Sequence, residues 1–325
     1  MSIEWPTNWF DDPNKIKVNV GGGTSRNING GADRNINGRA AFGGVRTDVL
    51  FRDLTTFRIG GPAKVLVEPL DPDSAAEVVR RACERNVKLK ILGNGSNLLV
   101  SDAGFDGVVM STARMRRAIR QEEYYHLWAG TPLVGFVNDA AKAGLSGVEG
   151  IIGIPAMIGG AIAMNAGGRW GEIFDVVETV TICELSTGEV RTLRKPEMQP
   201  KYRDANLGNV MVLETTLKLR PADRKTVVEE TKSHLIEKNS SQPVTEPSPG
   251  CIFKNPKPHS AAQLIDVTGL KGTRIGGVEV SRKHANYFVN VGGGTCDDAN
   301  RLIDHVRERV AKEHNIELET EVKIW

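Results

Sequence analysis

The stretch 64-KVLVEPLDPDSAAEVVRRACERNVKLKILGNGSN-97 decides the fold class. It contains one strand-like run, Lys64 to Leu70, and a second, Val87 to Leu92, which leads directly into the glycine-bearing loop Gly93 to Asn97. Between the two runs, apolar residues recur at the i, i+3, i+4, i+7 and i+8 spacing of an amphipathic helix, namely Ala75, Val78, Val79, Ala82 and Cys83. This order of strand, helix and strand predicts mixed α/β or α+β architecture.

The alternation of strands and helices continues along the chain. Helical spacing recurs twice, in the sets Leu133, Phe136, Val137, Ala140, Ala141 and Ala299, Leu302, Ile303, Val306, Val310. A helix is also expected around Lys225 to Lys238, and Thr295 with Asp298 can cap the last helix. The strands we predict are Gly107 to Ser111, Ala118 to Ala129, Val176 to Leu185, Val190 to Arg194, Met211 to Leu219 and Ile316 to Ile324. The overall fold class is therefore predicted as α+β.

The charge balance narrows the classes of partner. The 325 residues include 42 Lys+Arg and 40 Asp+Glu, for a formal net charge of +2, whereas nucleic-acid binding needs a concentrated basic surface. No apolar run is long enough to span a membrane, and the first residues lack the pattern of a secretory signal. We therefore expect a cytoplasmic protein with no nucleic-acid partner and no membrane insertion. The four cysteines are widely scattered, which predicts reduced thiols and no metal site.

Residues 1–46 differ in composition from the rest of the chain. They contain the run Gly21 to Gly23 and two near-identical segments, Arg26 to Gly30 and Arg34 to Gly38. Glycine and asparagine at this density raise the entropy cost of ordering and supply little apolar surface to offset it. The segment is predicted to be a flexible extension, and the duplicated segment could alternatively be a short recognition element.

Two glycine-bearing stretches could hold a phosphate group. One is Gly93 to Asn97, and the other is Gly153 to Gly167. Glycine lets backbone N–H groups approach phosphate oxygens without a Cβ in the way. Neither stretch matches the P-loop or the G-x-G-x-x-G fingerprint. From the residues alone, each stretch is either a tight turn or part of a cofactor cradle.

Polar residues in short, rigid contexts are candidates for chemistry. Arg203 could bind an anion with both of its terminal nitrogens, and Glu321 could be a carboxylate held inward. The alternation of a strand, however, places Glu317, Glu319 and Glu321 on one face, where three carboxylates would more easily be solvated. His284 could be a structural imidazole or a base.

The order of these motifs resembles that of the UDP-N-acetylenolpyruvoylglucosamine reductases, also called UDP-N-acetylmuramate dehydrogenases. Seven segments carry the resemblance in colinear order, and the chain before residue 47 lies outside it. They are Thr55 to Ala63, Leu92 to Leu99, Gly153 to Asn165-Ala166-Gly167, Tyr202-Arg203, Phe253-Lys254-Asn255-Pro256, Ser281 with Lys283-His284-Ala285-Asn286, and Leu318 to Val322.

The resemblance implies a domain organisation. An FAD-binding region over residues 47–222 would consist of two α/β lobes, 47–112 and 113–222, as in the vanillyl-alcohol-oxidase-like flavoproteins. A substrate-binding α+β lobe over residues 223–325 would follow, and its C-terminal strand would return to the active site. The short chain between Tyr202 and Gly250 is typical of the shorter subclass of the family.

The resemblance also implies the cofactors. FAD would be bound noncovalently, since neither glycine stretch offers a His or Cys for a flavin bond, and NADPH would be the electron donor. The residues implied to bind FAD are Arg58, Gly93, Asn94, Gly95, Ser96, Asn97, Gly153, Ile154, Pro155, Gly159, Gly160, Ala161 and Asn165.

The implied reaction is reduction of UDP-N-acetylglucosamine enolpyruvate to UDP-N-acetylmuramate, a step of peptidoglycan precursor synthesis. Hydride addition leaves charge that must be stabilised and then protonated. By position, Arg203 would bind the enolpyruvyl carboxylate and Glu321 would assist charge and proton management. The implied substrate contacts are Tyr202, Lys254 and Asn255. No protein partner is implied.

Cys251 departs from the usual pattern, because the family most often has Ser at this place. A thiol is more acidic than an alcohol, so it can deliver a proton to a carbanionic centre. The nearby Arg203 is expected to lower the thiol pKa, which would produce an alkaline loss of activity, since a thiolate cannot donate.

Two other functions remain open at this point. An FAD-dependent oxidase of the same fold would share the cofactor segments and pass electrons to oxygen. A catalytically inactive flavin or nucleotide module is the second alternative, with the change from Ser to Cys marking the loss of activity. The presence of Arg203, Cys251 and Glu321 together favours the reductase.

Overall fold

The computed structural model describes residues 42–325. Its α-helices are α1 Pro72–Glu84, α2 Leu133–Lys142, α3 Ile158–Ala163, α4 Arg224–Ser241, α5 Ala261–Val267 and α6 Cys296–His314. Most of the predicted extension, residues 1–41, lies outside the described residues. The predicted boundary at residue 46 is wrong, because strand β1 begins at Phe42.

The strands fall into two larger sheets and several short pairs. In chain order they are β1 Phe42–Leu50, β2 Pro62–Pro69, β3 Leu89–Leu92, β4 Leu98–Leu99, β5 Phe105–Ser111, β6 Ala118–Gln121, β7 Tyr124–Trp128, β8 Leu145–Ser146, β9 Gly167–Gly168, β10 Gly171–Glu172, β11 Val177–Glu184, β12 Val190–Arg194, β13 Val210–Lys218, β14 Arg220–Pro221, β15 Arg274–Ile275, β16 Val278–Val280, β17 Phe288–Asn290 and β18 Lys323–Ile324.

The first sheet has the order β1-β2-β5-β3. Strands β2 and β3 run parallel to β5, and β1 closes the edge antiparallel to β2. Helix α1 connects β2 to β3, and it begins with Asp71, whose carboxylate accepts a hydrogen bond from the Ser74 N–H at 2.7 Å. This N-cap satisfies a backbone donor that would otherwise lack a partner. The loop Gly93 to Asn97 therefore leaves the carboxyl end of β3, as predicted.

The second sheet is antiparallel throughout, in the order β12-β11-β13-β7-β6. The predicted single run Ala118 to Ala129 is a hairpin of β6 and β7. The chain turns at Glu122, whose φ of 54° lies in the left-handed region. Helices α2 and α3 bury their apolar faces against this sheet. Helix α1 packs between the two sheets, since one core cluster joins its alanines and valines to Met110 of β5 and Met211 of β13.

The last part of the chain forms a third core, in which α5 and α6 pack on the three-stranded sheet β15-β16-β17. The predicted cap of α6 is confirmed, because the Thr295 hydroxyl accepts from the Asp298 N–H at 3.0 Å and Asp298 reaches back to the Thr295 N–H. The predicted final strand, Ile316 to Ile324, is mostly wrong. Only an isolated bridge at Thr320 and the short strand β18 form.

The C-terminal segment does return to the front of the first sheet. Strand β18 pairs in parallel with β4, directly after the loop Gly93 to Asn97. The first sheet draws on residues 42–111 and the second on residues 118–218, while the division of the chain into domains stays a prediction. Across residues 42–325, no helix is both long enough and apolar enough to cross a bilayer.

Candidate active site

The loop Gly93 to Asn97 is held in place by its backbone. Gly95 has a φ of 63°, and a Cβ there would overlap the carbonyl oxygen of Leu54. The Gly95 carbonyl accepts a hydrogen bond from the Thr56 N–H at 3.1 Å. Among the described residues, the N–H groups of Gly93, Asn94 and Gly95 have no backbone acceptor. The loop therefore presents free donors beside a glycine that no other residue can replace without strain.

The second glycine stretch meets this loop. The Asn94 side chain donates from Nδ2 to the Pro155 carbonyl oxygen at 2.7 Å. Gly160 is exposed, and no atom lies within 4 Å of the place where its Cβ would stand. Gly159 and Ala161 instead face the core, and a Cβ on Gly159 would come within 2.8 Å of Ala129 Cβ. Only part of the predicted stretch is therefore open to a ligand.

Two predicted cofactor contacts differ in their surroundings. The Asn165 side chain is 1% exposed, and its amide bonds to the Glu172 carboxylate, the Lys201 carbonyl and the Phe174 N–H. Because both its N–H groups and its oxygen bond to the protein, the Asn165 side chain supports the loop and is not a cofactor ligand as predicted. Arg58 is exposed, and its carbonyl oxygen accepts from Asn290.

The open glycines, the free N–H groups and the exposed Pro155 together fit a diphosphate-bearing cofactor. They offer backbone donors and room, and no negatively charged side chain belongs to either stretch. Gly93, Ser96, Asn97, Gly153 and Ile154 are half-buried along this surface, as expected for residues that a large ligand covers.

The structure brings the three predicted catalytic residues together. Arg203 Nε donates to Glu321 Oε1 at 2.9 Å, and the two side chains are 18% and 13% exposed. Arg203 itself has a φ of 59°, which is uncommon for a residue other than glycine. Its Nη1 is buried without a hydrogen-bond partner. A buried donor of a guanidinium is costly to leave unpaired, so this nitrogen is a ready position for an anionic ligand.

Glu321 is placed by backbone contacts with two distant segments. Its N–H donates to the Ile252 carbonyl at 2.7 Å, and its carbonyl accepts from the Asn97 side chain at 3.3 Å. The predicted common face with Glu319 is wrong, because the segment is not a regular strand. Glu319 is 72% exposed and pairs with Lys254, whereas Glu321 points inward.

The surroundings of Glu321 shift its pKa upward. Burial raises the pKa of this carboxyl, and the neighbouring Arg203 only partly opposes the shift. Burial alone would lower the pKa of Arg203, but the Glu321 carboxylate more than offsets this effect, so the guanidinium stays charged. The pair therefore places a titratable carboxyl next to a fixed positive charge.

Cys251 lies beside this pair on a short extended segment. It forms an antiparallel bridge with Tyr287, and the next residue, Ile252, donates its N–H to the Asn286 carbonyl at 2.8 Å. Burial raises the pKa of the Cys251 thiol to about 12, and Glu321 adds to the shift. The predicted lowering by Arg203 is present, but burial outweighs it, so the net shift of the thiol pKa is upward. The thiol keeps its proton at neutral pH.

The predicted substrate residues line one side of this site. The Arg203 guanidinium lies 5.0 Å from the Tyr202 ring centroid, and Lys257 Nζ lies 6.0 Å from it. Lys254 pairs with Glu319. Asn255 is exposed, but its Oδ1 already accepts from the Ala261 N–H at 2.9 Å, which leaves only its Nδ2 for a ligand.

Sequence reasoning missed Lys238 and Tyr287. Lys238 extends from α4 to the Ile152 carbonyl at 2.6 Å, and burial, aided by Arg203, lowers its pKa to about 8. Nothing in the helical pattern of α4 distinguishes this lysine from its neighbours. Tyr287 directly follows a quoted motif, so its position was a usable signal. His284 packs edge-on against Tyr287 with ring centroids 4.8 Å apart, which favours a structural role.

Comparisons with known proteins identify the two parts of the chain. Residues 63–194 match the FAD binding domain family, and residues 242–325 match the family described as UDP-N-acetylenolpyruvoylglucosamine reductase, C-terminal domain. The UDP-N-acetylenolpyruvoylglucosamine reductase of Parasynechococcus marenigrum is 37% identical over 86% of this chain and 95% of the relative. The reductase of Moorella thermoacetica is 40% identical over 83% of this chain and 90% of the relative.

A solved structure gives the same result. The crystal structure of UDP-N-acetylenolpyruvylglucosamine reductase from Thermus caldophilus superposes with a TM-score of 0.75 at 36% identity. The match covers 86% of this chain and 99% of that chain. Sequence and fold therefore agree over nearly the whole described part of the chain.

Proposed function

Because this chain belongs to the family of UDP-N-acetylenolpyruvoylglucosamine reductases, we propose that Arg203, Cys251 and Glu321 carry out its reaction. The protein is an FAD-dependent UDP-N-acetylmuramate dehydrogenase that uses NADPH and acts in peptidoglycan precursor synthesis. Its fold combines an FAD-binding domain with the C-terminal domain of this family. The likeness to vanillyl-alcohol-oxidase-like flavoproteins, the shorter subclass and the cytoplasmic location stay predictions.

The FAD surface is proposed to consist of the loop Gly93 to Asn97 and the exposed part of the stretch Gly153 to Gly160. FAD bound there would supply the hydride-transfer chemistry between NADPH and the enol-ether double bond of the substrate. The backbone N–H groups of the loop would hold its diphosphate, and the Asn94 side chain joins the two stretches through the Pro155 carbonyl. No His or Cys lies in either stretch, in keeping with noncovalent binding.

Arg203 is proposed to bind the enolpyruvyl carboxylate. Its Nη1 is buried and unpaired, while its Nε is already fixed by Glu321 at 2.9 Å. Addition of hydride at the terminal carbon moves negative charge to the neighbouring carbon and onto this carboxylate. A guanidinium held in advance stabilises that charge without reorganising. The unpaired buried Nη1 is the observation that carries the proposal.

Glu321 is proposed to manage charge next to Arg203. Its pKa is raised mainly by burial, and the arriving carboxylate of the substrate would raise it further because a like charge disfavours ionisation. A protonated Glu321 adds no negative charge to a site that must accept one. It also offers a hydrogen-bond donor to the developing enolate.

Cys251 is proposed as the proton donor. Its S–H bond breaks, the proton forms a C–H bond at the carbanionic carbon, and the electron pair stays on sulfur as a thiolate. The high pKa of the thiol keeps the donor protonated before the reaction, and Arg203 is close enough to stabilise the thiolate afterwards. Tyr202, Lys254 and Asn255 are proposed to contact the rest of the substrate.

A single-turnover experiment tests the donor. Enzyme whose FAD has been reduced beforehand is mixed with UDP-N-acetylglucosamine enolpyruvate, and reoxidation is followed by absorbance. We expect Cys251→Ala to slow this step by about 100-fold or more and Cys251→Ser to retain part of the rate. The control is Cys83→Ser, whose thiol instead donates to Leu185. Full speed of Cys251→Ala would refute the assignment.

A further inference from the structure

The segment that carries Cys251 pairs with a tyrosine whose hydroxyl has two neighbours. Cys251 and Tyr287 stand opposite each other in an antiparallel bridge, which brings paired side chains to the same face. The Cys251 thiol and the Tyr287 hydroxyl are close enough for each to shift the pKa of the other. The same hydroxyl donates to Gln242 Oε1 at 3.0 Å. Gln242 caps the end of α4, with its N–H bonded to the Lys238 carbonyl.

One hydroxyl has one proton, so it can donate to only one of these neighbours at a time. While the thiol is protonated, the Tyr287 hydroxyl donates its hydrogen bond to Gln242, and its oxygen can accept one from the S–H group. A thiolate reverses the preference, because a hydrogen bond to an ionised acceptor is about twice as strong as a neutral one.

We propose that Tyr287 is a positioning residue that turns its O–H from Gln242 to the sulfur of Cys251 as the thiol gives up its proton. The turn itself makes and breaks no covalent bond, because the phenol keeps its proton throughout. The proton that leaves the S–H bond of Cys251 forms the C–H bond of the product. The interaction strengthens only when charge develops on sulfur, and such an interaction accelerates the proton transfer itself. The inference rests on the proposed role of Cys251 as donor.

Four other groups neighbour the sulfur. Arg203 and Glu321 face it with opposite effects on its ionisation, and the Asn286 amide is fixed by hydrogen bonds to both backbone groups of Phe253. Tyr202 lies within electrostatic range of the sulfur. On its far side, Tyr287 meets the ring of His284. Tyr287 is the neutral donor beside the sulfur whose O–H has a second acceptor, Gln242, from which it can turn.

The test compares Tyr287→Phe with the wild-type holoenzyme. We expect single-turnover reoxidation by substrate to slow about tenfold, with a larger solvent deuterium isotope effect, because proton transfer becomes more limiting. At pH 9, alkylation of Cys251 by iodoacetamide, followed by peptide mass spectrometry, should slow several-fold, since the thiolate loses a donor. The Michaelis constant for the substrate should stay within twofold.

The matched control is Tyr125→Phe, which removes a buried hydroxyl bonded to Asp139 at 2.7 Å, away from the site. It should lower Tm without changing the rate, the isotope effect or the alkylation. A wild-type rate and unchanged alkylation in Tyr287→Phe, with Cys251→Ala still slow, would overturn this inference alone. A fast Cys251→Ala would overturn the donor assignment instead.

Discussion

The two sides of the active site are made from different parts of the polypeptide. The proposed cofactor side, Gly93 to Asn97 with the open part of Gly153 to Gly160, is built from backbone and open space. The proposed reaction side consists of side chains, above all Arg203, Cys251 and Glu321, which are half-buried and held by named partners. The cofactor side should therefore be sensitive to any added Cβ, and the reaction side to changes of charge that leave the shape intact.

The difference follows from what each side must recognise. A diphosphate presents many oxygens to which backbone donors can bind, and glycine gives the closest approach. A transient negative charge on carbon needs a fixed cation and a source of protons, which only ionisable side chains provide. Three substitutions test this contrast.

The largest effect is expected for Glu321→Gln. The change keeps the shape and removes the titratable group, so kcat should fall by about 100- to 1,000-fold while the FAD absorbance spectrum stays normal. Steady-state NADPH oxidation and FAD content measure the two readouts. The matched control is Glu319→Gln, two residues away but 72% exposed, where we expect less than a threefold change. Equal losses in both variants would contradict the distinction between the two carboxylates.

A smaller effect, and one on the other side, is expected for Gly95→Ala. The left-handed φ of 63° and the overlap with Leu54 should cost about 1–3 kcal/mol of the free energy of unfolding, with weaker FAD binding. Gly160→Ala has no such conflict, so it should leave the apoprotein Tm unchanged and affect only FAD affinity. Urea unfolding and flavin fluorescence titration separate the two. A Gly160→Ala protein that binds FAD normally would remove Gly160 from the cofactor surface.

The smallest effect is the pH dependence of the free energy of unfolding that the Cys251 thiol causes. The pKa of Cys251 is raised from 9.0 to about 12, so the native thiol keeps its proton between these values while the unfolded thiol loses it. Its contribution to stability is complete below pH 9 and is lost as the pH rises towards 12. Relative to Cys251→Ser, the wild-type free energy of unfolding should fall by about 1 kcal/mol between pH 7 and pH 10. Parallel curves for the two proteins would contradict the raised pKa.

Local periodicity was enough to locate most of the elements. The helical stripes from Leu133 and from Ala299 correspond to α2 and α6, and the cap at Thr295 is present. The strand prediction for Ile316 to Ile324 was mostly wrong because the partners of this segment, Ile252 and Asn97, are far away in sequence and impose an irregular path. Alternation along one strand cannot detect such partners.

The proximity of the candidate catalytic residues was predictable from the motifs, but their electrostatics were not. The motif order pointed to Arg203, Cys251 and Glu321, which the structure brings together. Burial of the thiol, which reverses its expected pKa shift, depends on packing that no motif encodes. The lowered pKa of Lys238 likewise arises because α4 carries it to Ile152 and near Arg203. Asn165 was misassigned because its partners Glu172 and Lys201 become visible only in three dimensions.

The contact between Asn97 and the backbone of Glu321 has a thermodynamic consequence. The five-residue loop that we propose to face the cofactor also contacts the backbone of the acidic residue. A ligand that orders one face of the loop also orders the opposite face. The second ligand therefore loses less conformational entropy when it binds. Linkage then requires FAD and an unreactive substrate analogue to tighten each other's binding by the same factor, and Asn97→Ala to reduce that factor towards one.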